Sequence, residues 1–167
     1  MTFKPQSIPF QINYSESGTS TIQFAENEGI AFQKERRKIY LVANGTEILY
    51  VGEAHTSIKE RFRRSCTSFN YHIRNNREVA RGGYKGYKWL DPEYNSNRNL
   101  VVHVFVFDES YDTNRDFIEA IEGEIVYLVR KNTDKWPEYQ NEIHFHNELG
   151  SAGIAKEVLR VLEKNQR

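Results

Sequence analysis

The 167-residue sequence lacks several features, and each absence excludes something. Cys66 is its only cysteine, so neither an internal disulfide nor a multi-cysteine zinc site can form. A reducing cytoplasm is the expected compartment. No apolar run approaches the roughly 20 residues that a membrane helix needs, so neither a transmembrane helix nor a membrane partner is expected. The opening segment MTFKPQSIPFQINYSES has no long apolar stretch, and a secretory signal is not expected. There is no internal repeat, low-complexity tract or Pro/Gly linker, so the chain reads as one domain over 1–167. Net charge is also missing: 23 Lys and Arg balance 23 Asp and Glu. Taken alone, that argues against a generic nucleic-acid binder.

The distribution of those charges changes the picture. Between Lys59 and Trp89 stand nine basic residues against only Glu60 and Glu78, a local excess of +7. A neutral chain with one strongly basic segment presents one anion-facing surface, or else a solvated basic face. With 38% hydrophobic and 13% aromatic residues, the chain can bury a core.

Hydrophobic patterning gives the order of elements. Residues 8–14 alternate weakly, as a short strand would, and 25–36 suggest a short helix weakened by Gly29. KIYLVA (38–43) and EILYVG (47–52) flank Asn44-Gly45-Thr46 and form the clearest hairpin signal. Thr56 or Ser57 caps a helix through IKERFRRSC. Residues 67–98 read as a long insertion with a helix near 69–81. NLVVHVFVF (99–107) has the composition of a central strand buried on both faces. A helix follows from Thr113 or Asn114 to Lys131, with Phe117, Ile118, Ile121, Ile125, Leu128 and Val129 as its stripe. NEIHFHN (141–147) alternates, and Ser151 opens a last helix. The fold class is therefore α+β: a small antiparallel or mixed sheet, a tyrosine-bearing hairpin and flanking helices. The parts are an N-terminal arm (1–37), a core (38–66 and 99–147), a basic insertion (67–98) and a C-terminal helix (148–167).

Parity decides where the hairpin tyrosines point. With a three-residue loop, Ala43 faces Glu47, Tyr40 falls opposite Tyr50, and both hydroxyls project from one face. A strict two-residue turn would separate them. The odd loop is the expectation.

Lys38-Ile39-Tyr40 and Tyr50-Val51-Gly52, roughly ten residues apart on adjacent strands, resemble the two tripeptides that name the GIY-YIG nuclease domain. Arg61, three residues after Ile58, looks like the arginine of the helix that follows in that family. Pro137-Glu138-Tyr139-Gln140 resembles the family's Pro-x-Tyr-Asn tail. Two positions depart from the pattern: Lys38 stands for the first glycine, and Gln140 for the asparagine. The resemblance covers about 38–66 and 115–147. It implies a GIY-YIG-like fold and a Mg²⁺- (or Mn²⁺-) dependent endonuclease hydrolysing DNA, of restriction or defence type. A double-strand cut would take a homodimer or two visits.

The implied roles follow residue by residue. A helix glutamate holds the metal through oxygen. Glu122 and Glu124 flank the apolar stripe about equally, while Glu119 points further out. The apolar run after Glu124 suits the family pattern better, so Glu124 is the first choice for the metal and Glu122 the second. The metal neutralises charge on the phosphate. Tyr40 orients or deprotonates water, with neighbouring cations needed to lower its pKa from about 10. Tyr50 is a second orienting hydroxyl, Arg61 contacts phosphate, His55 can shuttle a proton, and Gln140 completes the catalytic set. Ordinary hairpin packing is the plain alternative for the tyrosines.

Arg63, Arg64, Arg81, Lys85 and Lys88 are the expected DNA contacts. In 80–90 the cations interleave with Tyr84, Tyr87 and Trp89, a pattern suited to phosphate contacts and base stacking. The rivals are a non-catalytic nucleic-acid-binding module on the same fold, and a metalloprotein using Glu142, His144 and His146.

Overall fold

A computed structural model describes residues 2–75, 88–91, 99–140 and 146–166. Its described part is an α+β fold: a five-stranded antiparallel sheet with three helices. In chain order the elements are β1 (Phe3–Tyr14), β2 (Ser20–Phe24), β3 (Lys38–Asn44), β4 (Glu47–Ala54), α1 (Ile58–Asn75), β5 (Leu100–Phe107), α2 (Arg115–Thr133) and α3 (Ser151–Asn165). The spatial strand order is β2-β1-β5-β3-β4, and every pairing is antiparallel. Among the described residues, no helix is long and apolar enough to cross a membrane.

β5 occupies the centre because its side chains are apolar on both faces. Val102, Val104 and Val106 point to one core, and Phe105 and Phe107 to the other. On the first face α1 lies against the sheet, with Phe62, Phe69 and Trp89 packed around Tyr40 and Val42. On the second face α2 and α3 cover Ile39, Leu41 and Val51 with Ile121, Ile125, Val158 and Leu162. The one polar residue within β5 is His103, whose Nδ1 lies 2.8 Å from the Ser7 hydroxyl; burial pushes its pKa down to about 4.

Three expectations change. The strand expected at 8–14 begins at Phe3 and contains Pro5 and Pro9. Over Phe3–Pro9 it pairs with β5 alone, so a residue without an N–H can be accommodated. The helix expected over 25–36 is only a 3₁₀ turn at Ile30–Phe32. Gly29 sits at φ 114°, and a Cβ there would lie 2.4 Å from the Gln6 side chain. That amide accepts from Ala31 N–H and donates to the Glu28 carbonyl, so the segment is pinned to β1. The helix expected near 69–81 is not separate. α1 runs unbroken from Ile58 to Asn75, capped by Ser57, whose Oγ accepts from Glu60 N–H.

The hairpin corrects the loop and preserves its consequence. The turn has two residues, Gly45 and Thr46, with Gly45 at φ 59°. The register then shifts between Val42 and Ala43, so that Val42 faces Tyr50 and Tyr40 faces Gly52. The extra residue in β4 restores the parity that the short turn would have lost. Tyr40 and Tyr50 therefore share a face as diagonal neighbours, with ring centroids 6.0 Å apart.

Candidate functional site

The core of the site is a packing problem solved by one glycine. Tyr40 is 0% exposed and its ring lies across Gly52. A Cβ on residue 52 would stand 2.6 Å from both Cζ and Oη of Tyr40, and 2.9 Å from Cε1 of Tyr50. The tyrosines and the glycine of the two tripeptides thus specify one another sterically. Across from this pair, α1 delivers Arg61. Its Nε–H donates to the Tyr40 hydroxyl at 3.0 Å, with the guanidinium carbon 6.0 Å from the ring centroid.

β4 is the edge of the sheet, and its outward backbone groups are met by other parts of the chain. Tyr139 N–H donates to the Leu49 carbonyl, and Val51 N–H donates to Oε1 of Gln140 at 3.0 Å. The Pro-x-Tyr-Gln segment and α2 therefore both lie against β4. Gln140, expected in the catalytic set, is occupied with the strand backbone.

Glu122 is the α2 carboxylate whose charge is coupled to that of Arg61. Burial pushes its pKa up to about 8; Glu53 and Glu119 push the same way, and Arg61 opposes them. Glu124, the first choice from the sequence, lies about 200° around the helix from Glu122 at 100° per residue. Of the two, Glu122 is the one whose charge is coupled to Arg61 and Glu53.

Beside this cluster opens a polar cleft of about 510 Å³. The loop before β3 supplies Lys34, Glu35 and Arg37, and the end of β4 supplies Glu53, His55 and Thr56. α1 supplies Arg61 and Arg64, and α2 supplies Arg115. Five cations thus line the cleft against two carboxylates. Glu53 braces it: its Oε2 lies 3.1 Å from Arg37 Nη1 and its Oε1 3.8 Å from Arg115 Nε. Arg115 also pairs with Glu119 at 2.7 Å, and Glu119 lies 3.6 Å from His146 Nε2.

Of the residues singled out from the sequence, Arg61, His55 and Arg64 line the cleft, while Tyr40 and Tyr50 are buried, with Arg61 bonded to the Tyr40 hydroxyl. Arg63 is not on the cleft wall; it is held by Glu60, which it grips with both Nε and Nη2. Arg81, Lys85 and the side chain of Lys88 lie outside the described residues, as do Glu142 and His144. Among the described residues, no group of three or more His, Cys, Asp or Glu is arranged to hold a metal. Sequence reading missed Arg37, Glu53 and Arg115. Arg37 and Glu53 adjoin the two tripeptides, which is a usable signal, whereas Arg115 carried none beyond its place at a helix start.

No protein-family model, curated protein or solved structure matches this chain.

Proposed function

We propose that the chain is a divalent-metal-dependent endonuclease of the GIY-YIG type that hydrolyses phosphodiester bonds in DNA. One observation carries the reading: Arg61, which lines a cation-rich cleft, binds the hydroxyl of the buried Tyr40 and is coupled in charge to the Glu122 carboxyl on α2. An anionic strand suits five cations, and a planar guanidinium suits two phosphate oxygens.

The donor set fits a hard cation that keeps most of its water. Glu122 would hold it, with Glu53 next to it, and oxygen ligands of this kind suit Mg²⁺ or Mn²⁺. When bound, the cation supplies neutralisation of the scissile phosphate and of the leaving oxygen. Glu122 is preferred to Glu124 in this role because its charge is coupled to Arg61 and Glu53. Arg61, fixed by Tyr40, presents its remaining N–H groups to the phosphate, and Arg64, Arg37 and Arg115 position the flanking strand. Tyr40 orients the attacking water, which arrives with the substrate because the ring is sealed in its absence. One such site cuts one strand, so a double-strand break takes two copies or two visits.

The burial of Tyr40 favours a second reading, a non-catalytic DNA-binding module whose tyrosine only props Arg61. Supercoiled plasmid with Mg²⁺ or EDTA separates the two. Metal-dependent nicking that is lost in Glu122→Gln and Tyr40→Phe but kept in Glu124→Gln supports the enzyme. DNA retention without cleavage by any form of the protein supports the module.

A further inference from the structure

Lys38 is a wholly buried lysine on the strand that carries Tyr40. A buried ammonium is costly unless every N–H finds an acceptor. Here all three do: Nζ lies 2.9 Å from the Gln33 carbonyl, 2.8 Å from that of Arg36 and 2.8 Å from that of Thr56. Gln33 and Arg36 bracket Lys34 and Glu35 on one wall of the cleft, while Thr56 adjoins His55 on the other. The Gln33 and Arg36 carbonyls converge because the backbone reverses at Glu35, which sits at φ 59°. That conformation is unfavourable for a side-chain-bearing residue and persists only where its surroundings hold it.

We infer that Lys38 is a positioning residue that ties the two walls of the cleft together, one ammonium N–H to each of three backbone carbonyls. For its catalytic consequence this role rests on the nuclease reading above. A core residue of similar length without charge, such as methionine, would fill the space but could gather no carbonyl. The tie depends on charge as well as on shape. An ammonium has three N–H donors and a neutral amine two, so loss of the proton frees one carbonyl and slackens one wall. Asp112 and Glu53 favour the charged form; burial and Arg36 oppose it, and the pKa falls to about 8. Wall spacing, and with it any reaction in the cleft, should therefore fade above that pH.

The test is backbone hydrogen exchange and plasmid cleavage by wild type and Lys38→Met. At pH 7, amides of 33–37 and 54–57 should exchange about tenfold faster in Lys38→Met, with β1 and β5 unchanged. In wild type the same amides should loosen between pH 7 and pH 9, after correction for intrinsic rates. At saturating Mg²⁺, which keeps the Glu122 carboxyl ionised, cleavage by wild type should fall about tenfold over that span as the ammonium titrates, and Lys38→Met should show no such alkaline limb. Equal protection in the two proteins, or an alkaline limb retained in Lys38→Met, overturns the assignment. If Lys38→Met does not fold, the wild-type exchange series decides alone, and unchanged protection of these amides at pH 9 refutes the tie. If wild type cleaves no DNA at any pH, the nuclease reading falls while the exchange data still decide the role of Lys38.

Discussion

Replacing Glu122 by glutamine should stabilise the metal-free protein at alkaline pH and, on the nuclease reading, abolish cleavage of DNA. The carboxyl is pushed up to about 8, mainly by burial and then by Glu53. In the unfolded chain it ionises near the ordinary glutamate value, so between roughly pH 4.3 and 8 the unfolded state binds fewer protons. Stability from this group is therefore complete below that window and is lost as pH rises through about 8. At about 1.4 kcal/mol per pH unit the full shift would be worth about 5 kcal/mol, but the side chain is only partly buried, so a discounted figure of about 2 kcal/mol is the working expectation. Glutamine keeps the shape of the side chain and has no charge to bury. Urea unfolding in EDTA from pH 5 to pH 9 reads the effect: the two proteins should coincide near pH 5 and separate by about 2 kcal/mol at pH 9, with glutamine the more stable. Added Mg²⁺ should stabilise wild type more at pH 8 than at pH 5, because a ligand carboxyl must first lose its proton. Parallel curves, or a glutamine variant weaker at every pH, would refute the reasoning. A residue whose removal raises stability and ends activity is one kept for function.

Two further outcomes test the framework around that carboxylate. Gly52→Ala forces a Cβ to within 2.6 Å of a tyrosine that has nowhere to move. About 2 kcal/mol of destabilisation is expected, as for other overpacked cores, together with loss of cleavage as Tyr40 shifts from Arg61; an unchanged denaturation midpoint would show that the ring yields freely. Gln140→Ala removes the acceptor of Val51 N–H in a buried strand edge. The orphaned donor should cost about 1–2 kcal/mol, and its amide should lose protection in exchange measurements while those of Tyr40 and Leu41 keep theirs.

Most of the architecture was legible because it rests on local chemistry. β5, the capped helix α2 and the hairpin follow from β-branched runs, Asn114 as a cap and a glycine between the two apolar runs. β2 was not legible, since STIQF is too short and too polar to declare itself without β1 as a partner. The helix at 25–36 failed because apolar spacing cannot report that Gln6, some twenty residues earlier, claims the backbone of Glu28 and Ala31. In the hairpin, the bulge that re-aligns the tyrosines is a property of pairing and has no one-residue signature.

The candidate site divides along the same line. Strand parity put Tyr40 and Tyr50 on one face through an odd loop; they do share a face, but through a two-residue turn and a bulge, with Gly52 and not Tyr50 opposite Tyr40. The choice between Glu122 and Glu124 could not be made by periodicity, because both flank the same apolar stripe. What separates them is the edge of β4. An edge strand must have its outward N–H and C=O groups met, and here the Val51 donor is met by Gln140 and the Leu49 carbonyl by Tyr139 N–H. Glu122 is coupled in charge to Glu53 on that same strand and to Arg61, a tertiary relation that helix periodicity does not carry. The edge requirement explains why the Pro-x-Tyr-Gln segment belongs with the tyrosine hairpin at all. In this reading, its amide is kept for the strand, and the strand for the arginine cleft.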